Sequence, residues 1–296
     1  DATAVVFTPA VAEMARAVEA KDKLPYLLIC AFVANAASFV LPISNPANLV
    51  IYGAALPPLV AWLGRYVLAS AAAIGATFVL LRLTQRRALR AERLVQPAGV
   101  LLSPGGRRAG LGIVATAVLL MVASGFGVQL GMLTFLCGLA TAAMVLLPAR
   151  QSPWGMIKNI SWEVLPLVAA LFVMVAALDR AGLTQAVGGW LPAAGAWAVG
   201  LGLGGLSNLV NNLPAALLAG HALAQAHAGA RLTGAALIGV DLGPNLSVTG
   251  SLATILWLTA LRREGVCVSP GQFLRLGVVV MPPALVLALG GLLLVG

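Results

Sequence analysis

The sequence predicts an all-α polytopic membrane protein, on three observations. Apolar residues fill 60% of its 296 positions and charged residues only 9%, against roughly 25% charged in soluble domains. Apolar runs of spanning length, roughly 17–25 residues, recur along most of the chain. Two of these runs are interrupted by Asn, Ser, Pro and Gly; the first reads VANAASFVLPISNPANLVIYG. Backbone groups freed inside a bilayer cost several kcal/mol each, so such breaks are tolerated only beside protein or a water-filled cavity.

Taken in order, residues 1–18 form a short apolar arm that ends in a charged cluster, Arg16 to Lys23. The first interrupted span covers 24–54, and an unbroken one covers 57–82. An arginine-rich loop follows, with Pro97, Pro104 and Gly105-Gly106 as breakers. Further spans are predicted at 109–125, 128–148 and 162–179. Across 184–226 two shortened apolar arms meet at GLSNLVNNLPAAL, which predicts a re-entrant hairpin rather than a crossing. A second interrupted span runs over 232–262, broken at VDLGPNLSVTGS, and a last span covers 271–295. The opening DATAVVFTPA carries neither an initiator Met nor a complete first span, so further N-terminal spans are expected before this chain.

Charge sets the orientation. The net charge is +9, and seven arginines fall between Arg82 and Arg108, flanked by spans on both sides. That pattern describes a membrane-side loop obeying the positive-inside bias, and it argues against nucleic acid as a partner. With this loop in the cytoplasm and the crossings alternating, 15 of the 18 Lys and Arg residues fall at or near the cytoplasmic face. Only Arg65, Arg180 and Arg231 lie towards the outside. Cys30, Cys137 and Cys267 have no metal spacing and read as small helix residues.

The same alternation starts the break at 24–54 inside and the break at 232–262 outside. A shift of 206 residues places Asn35 on Asp241, Ala37 on Gly243, Ser44 on Gly250, Asn45 on Ser251 and Ala47 on Ala253. Hairpin plus broken helix, twice and in opposite orientations, predicts an inverted-repeat transporter with re-entrant hairpins and two discontinuous helices. Four segments follow. Residues 1–82 hold the first-repeat transport elements: the second arm of hairpin 1, a broken helix and the following helix. Residues 83–108 are a cytoplasmic basic loop, and 109–182 are scaffold helices of the second repeat. Residues 183–296 hold hairpin 2, a broken helix and the last helix.

A helix broken in mid-membrane exposes N–H groups on one half and C=O groups on the other, each end carrying about half a unit charge. Pro46 removes a donor and Pro42 disrupts the preceding turn. Asn35, Ser38, Ser44, Asn45 and Asn48 can patch the gap or present groups to a substrate. In the second break Asn245, Thr249 and Ser251, with Gly243, Pro244, Ser247 and Gly250, stand in the same position. At the hairpin tip Ser207 adjoins Asn208, Asn211 and Asn212, whose i, i+3, i+4 spacing would give them one helical face. The twofold occurrence favours a substrate site over mere patching. Intramembrane acids are expensive and functional by default. Asp241 is therefore the candidate proton-coupling carboxylate, with capping of a half-helix as its bland alternative. Asp1 is its candidate counterpart. Glu13 reads as interfacial, Glu163 and Asp179 as boundary residues, Arg65 as snorkelling outward, and His221 and His227 as surface residues.

These stretches resemble a known family. VANAASFVLPISNPANLVIYG, VDLGPNLSVTGSLATILWL and GLSNLVNNLPAALLAG are together similar to the ArsB arsenite efflux permeases of the ion transporter superfamily. Asp1, Thr8 and Pro9 match part of that family's first hairpin. The resemblance implies a missing part of about three spans and a hairpin arm, and a bacterial or archaeal inner-membrane location. It also implies extrusion of arsenite or antimonite in exchange for protons, without a cofactor and without enzymatic activity of its own. A cytosolic ATPase subunit is a partner in some relatives, and no G-x-x-x-x-G-K-[ST] loop is present here.

Alternatives of the same architecture and of a different class stand beside this reading. A dicarboxylate carrier of the same architecture would be expected to carry paired Ser-Asn-Thr motifs, whereas the first break reads Ser-Asn-Pro and the hairpin Ser-Asn-Leu. A sodium/proton antiporter would want several core carboxylates, and only Asp1 and Asp241 qualify. A channel or structural subunit would need neither two hairpin-bearing halves nor Asp241.

Overall fold

The computed structural model describes residues 2–91, 103–126, 128, 130–158, 162 and 164–295. Among the described residues every regular element is helical and there is no strand. Among the described residues five stretches are long and apolar enough to cross a membrane: Leu59–Thr84, Pro104–Gly125, Leu130–Ala149, Ala193–Val210 and Pro270–Val295. The protein is an all-α, multi-pass membrane protein with discontinuous helices. Its chain divides into two compact units.

The smaller unit, Pro58–Ala61 with Pro97–Ala169, contains α6 (Pro104–Gly125), α7 (Leu130–Ala149) and α8 (Trp154–Lys158). Ser103 caps α6 by accepting from the Gly106 N–H at 3.1 Å, with Pro104 at the first helical position. The stretch 104–108, read from sequence as the end of a loop, is thus already helix. Pro104 supplies a preset φ and Ser103 an acceptor. α6 packs on α7. Along them Thr116, Thr134 and Thr141 turn their hydroxyls back onto carbonyls four residues earlier. Each hydroxyl is thereby satisfied within its own helix while apolar side chains face outward.

The larger unit holds α1 (Ala2–Ala17), α2 (Leu24–Ala36), α3 (Pro46–Tyr52), α4 (Leu59–Thr84) from Trp62 onward, and α5 (Arg86–Ala91). It also holds α10 (Leu183–Val210), α11 (Asn212–Gln225), α12 (Ala230–Leu242), α13 (Leu252–Arg263) and α14 (Pro270–Val295); α9 (Val164–Arg180) precedes them. Both predicted breaks are present. The chain leaves α2 after Ala36 and re-enters helix at Pro46; it leaves α12 after Leu242, makes a 3-10 turn over Gly243–Asn245 and re-enters at Leu252. The starts of α2 and α12 differ by the same 206 residues as the starts of α3 and α13, and α2 and α12 are 13 residues each. Packing follows the same correspondence: α1 lies on α2 and α13, whereas α11 lies on α12 and α3.

Two buried clusters hold this unit together. One gathers Phe39, Trp62, Tyr66, Leu237 and Leu285; the other gathers Phe32, Trp257 and Phe273. Phe32 and Phe273 stack at a centroid distance of 4.7 Å. α10 approaches α12 so closely that a Cβ on Gly239 would collide with the Gly200 carbonyl. At one rim Arg16 pairs with both Glu13 and Glu264, joining the end of α1 to the residue after α13.

The hairpin region departs from expectation in two ways. Its first arm is long: Ala193–Val210 alone reaches crossing length, and α10 is kinked at Gly195 (φ 72°, ψ 164°). At its tip Asn211 has φ 76° and ψ 154°. The helical path therefore ends between Asn208 and Asn212, and the three asparagines do not share one helical face.

Candidate functional site

The first break is closed by its own side chains. Asn48 donates Nδ2 to the Ser38 carbonyl at 2.9 Å and to the Leu41 carbonyl at 3.2 Å. The Trp62 indole N–H donates to the Phe39 carbonyl at 3.0 Å. Ser44 Oγ accepts from the Leu41 N–H at 3.2 Å, and Ser38 Oγ donates to the Ala34 carbonyl. Asn45 then caps α3, its Oδ1 accepting from the Ala47 N–H at 3.1 Å.

The second break is closed in part by the hairpin tip. Asn208 donates Nδ2 to the Gly204 carbonyl at 2.7 Å and to the Gly243 carbonyl at 2.9 Å, and its Oδ1 accepts from Ser247 Oγ at 2.8 Å. Thr249 Oγ1 donates to the Asn208 carbonyl, and Asn211 Nδ2 donates to the Thr249 carbonyl, both at 3.1 Å. The Asn212 N–H donates to the Gly250 carbonyl at 2.8 Å. Ser207 Oγ turns back to the Gly204 carbonyl. Ser251 caps α13 as Asn45 caps α3, its Oγ accepting from the Ala253 N–H at 3.1 Å. The two caps have nearly the same backbone, φ −141° and ψ 137° at Asn45 against φ −144° and ψ 144° at Ser251.

Three amide side chains, Asn45, Asn35 and Asn245, donate across the breaks. Asn45 Nδ2 donates to Asp241 Oδ1 at 2.9 Å. Asn35 Nδ2 donates to Asn245 Oδ1 at 3.0 Å and, more weakly, to Thr254 Oγ1 at 3.5 Å. Asn245 Nδ2 in turn donates to the Phe32 carbonyl at 2.9 Å. Asp241 is 0% exposed, and among the described residues its Oδ2 has no hydrogen-bond partner; neither has Asn48 Oδ1. The result is a buried carboxylate held by one amide, with the N-terminus of α3 beginning at that same amide. Helix N-termini and amide N–H groups suit an anionic or oxygen-rich ligand.

The sequence-predicted residues thus separate into two groups. Asn35, Asn45, Asp241 and Asn245 meet across the breaks. Ser38, Ser44, Asn48, Ser207, Asn208, Asn211, Asn212, Thr249 and Ser251 spend their bonds on backbone or on the hairpin tip, although Asn48 keeps a free acceptor. Asp1 and Glu163 lie outside the described residues. Glu13 pairs with Arg16 at an exposed position, Asp179 is half-buried, and His221 and His227 are exposed. Arg65 donates to the Tyr52 hydroxyl at 3.3 Å, and that hydroxyl lies 2.5 Å from the Tyr66 hydroxyl. Thr254 was missed, although the 206-residue shift from Asn48 lands on it. Trp62 and Trp257, whose indoles bond the Phe39 and Leu27 carbonyls, left no signal beyond being aromatic. No group of three or more His, Cys, Asp or Glu able to hold a metal occurs among the described residues.

The site is thus a pair of capped half-helices joined through a buried acid, and the family follows from comparison. The model of the CitMHS family, described as citrate transporter, matches residues 1–261. The chain belongs to the CitMHS citrate transporter family. This corrects the resemblance to the ArsB permeases as the family. The motifs behind that resemblance are the broken-helix stretches, which any carrier of this architecture needs to cap its half-helices. They discriminate poorly between its branches.

Arsenical pump membrane proteins are nevertheless similar to this CitMHS member. One from Escherichia coli is 28% identical over 99% of this chain and 73% of its own length. One from Yersinia enterocolitica is 27% identical over the same shares. An uncharacterised transporter of Mycobacterium tuberculosis is 27% identical over 71% of this chain and 53% of its own length. No solved structure matches the chain. The protein is a secondary-active-type transporter of the bacterial inner membrane.

The geometry separates the two caps by consequence. Ser251→Ala is expected to lower stability by about 1 kcal/mol, the value of a cap. Asn45→Ala removes a cap and also orphans a buried carboxylate oxygen, so a loss of roughly 2–4 kcal/mol is expected. Thermal unfolding of the purified variants in detergent checks both. Equal losses would mean that the Asn45–Asp241 bond adds nothing.

Proposed function

We propose that this CitMHS member is a proton-coupled carrier of a small carboxylate anion, with Asp241 binding the coupling proton and the two breaks forming the substrate site. The observation that carries the reading is the bond from the α3 cap to a buried carboxylate whose second oxygen has no partner among the described residues. A proton on Asp241 removes a negative charge from the site and makes room for an anion. Without it, the buried charge repels one. Substrate carboxylate oxygens would take bonds from Asn35, Asn45 and the first N–H groups of α3 and α13. The citrate transporter family over residues 1–261 supports this substrate class.

The equal lengths of α2 and α12, the matched caps and the exchanged packing of α1 and α11 support two repeats of opposite orientation, with α10 and α11 as a re-entrant hairpin. The segment boundaries at 82, 108 and 182 and a cytoplasmic placement of the Arg82–Arg108 loop belong to the same proposal.

Arsenite or antimonite extrusion is the second reading. It is favoured by the relatives named arsenical pump membrane proteins. It also suits an uncharged trihydroxide, which needs donors and acceptors rather than a counter-charge. On that reading a cytosolic ATPase subunit is a further partner.

Reconstitution of the full-length protein into liposomes with an imposed pH gradient decides. Labelled citrate or succinate is expected to accumulate against its gradient only while the pH gradient lasts. No carboxylate movement, alongside arsenite movement, would replace the first reading by the second.

A further inference from the structure

Seven arginines stood out in the sequence, and neither break uses them. Arg82 lies 23 residues beyond Leu59 at the start of α4, about 35 Å along the helix and so at the edge of a hydrocarbon core about 30 Å thick. Helical bonding continues past the end of α4: the Gln85 N–H donates to the Leu81 carbonyl at 2.9 Å, and the Leu89 N–H donates to the Gln85 carbonyl at 3.0 Å. Phe78, Arg82, Arg86 and Arg90 therefore recur every four residues along one face. They border a groove of about 500 Å³.

The groove changes character along its length. At its membrane end Phe78, Val79 and Leu83 are about half exposed. At its other end the wall is Arg82, Arg86 and Arg90, with Leu89 between them. Two neighbouring hollows share its walls. One, of about 230 Å³, lies between Arg82 and the apolar Tyr26 and Ile29. The other, of about 530 Å³, lies between Arg86 and Val279. Among the described residues no acidic residue lines any of the three, and none of Arg82, Arg86, Arg87 and Arg90 forms an ion pair.

We propose that the end of α4 and α5 form a binding site for an anionic phospholipid, with its phosphate held between Arg82 and Arg86 and its acyl chains lying in the apolar grooves on either side. Basic pockets at the membrane boundary take such head groups, and arginine forks match phosphate oxygens. The apolar half of the groove decides between occupants. A soluble acidic protein or a free phosphate would have no use for exposed Phe78, Val79 and Leu83 at membrane depth, whereas acyl chains cover them.

The test is native mass spectrometry of the full-length protein offered equimolar dioleoyl-phosphatidylglycerol and dioleoyl-phosphatidylcholine. The wild type is expected to retain the phosphatidylglycerol by about tenfold or more. Arg82→Gln/Arg86→Gln/Arg90→Gln is expected to lose the preference, and Arg262→Gln/Arg263→Gln to keep it. Phe78→Ser/Leu83→Ser leaves the charges in place and is expected to retain less of either lipid. Equal retention by the wild type would overturn the proposal, as would a preference that survives in the triple variant. Displacement of the lipid by millimolar inorganic phosphate would reassign the site to a free anion. An unchanged apolar double variant would do the same.

Discussion

Asp241→Asn is expected to abolish accumulation driven by an imposed pH gradient while leaving exchange of labelled for unlabelled substrate intact. The replacement has the same shape, and its side-chain oxygen can still accept from Asn45 Nδ2, so the join between the breaks survives. What disappears is the only acid that the described residues place at the breaks. Each unit of imposed pH gradient supplies about 1.36 kcal/mol per proton. One proton per substrate therefore supports roughly a tenfold gradient per pH unit. The variant should therefore fall from a gradient of that order to none, with exchange as the control for folding and binding. Undiminished pH-driven accumulation in the variant would remove Asp241 from the coupling role.

A second large effect is expected from Gly239→Leu. A Cβ at this position meets the Gly200 carbonyl, and backbone cannot rotate away as a side chain can. The helices α10 and α12 would have to separate along a seam that also carries Gly204 and Gly243. Overpacking typically costs 1–3 kcal/mol and sometimes more; with backbone on both sides, a loss at or above about 3 kcal/mol is expected. Gly205→Ala, on the same α10 with nothing within reach of its Cβ, is expected to be neutral or to gain up to about 1 kcal/mol. Retention of a monodisperse peak after heating in detergent separates the two, and a Gly239→Leu protein as heat-resistant as wild type would refute the close seam.

The breaks were legible because proline and glycine declare themselves. Pro46 and Pro244 interrupt apolar runs, and the 206-residue shift that aligns the two breaks in the sequence is also the spacing between the starts of the paired half-helices. The interior polar residues were legible as a set, since every Asn, Asp or Ser in an apolar run needs a partner. Which partner each one takes was not legible. Asn211 adopts φ 76°, which no spacing rule anticipates, and that single conformation undoes the expected face shared with Asn208 and Asn212. Asn48 resembles a ligand group on paper, yet its amide is occupied by two carbonyls of its own break. The indoles of Trp62 and Trp257 count as apolar in any pattern, although one ties down the freed Phe39 carbonyl and the other bonds the Leu27 carbonyl within α2. The family branch was illegible for a related reason: capping two half-helices imposes the same residue types whatever is carried.

The Asn45–Asp241 bond spans 196 residues of chain. Ribosomes add about 5–20 residues per second, so its two ends are synthesised roughly 10–40 s apart. Asn35 waits for Asn245 over a similar interval. During that time the first break has been made and its permanent partners have not. The carbonyls of the first break are tied by Asn48 and Trp62 from its own half, but the side-chain amides of Asn35 and Asn45 are still bare, and an unmet polar group is costly in hydrocarbon. Those two amides are expected to stay hydrated until Asp241 and Asn245 emerge, so the first half is expected to settle fully in the membrane only once the second is present.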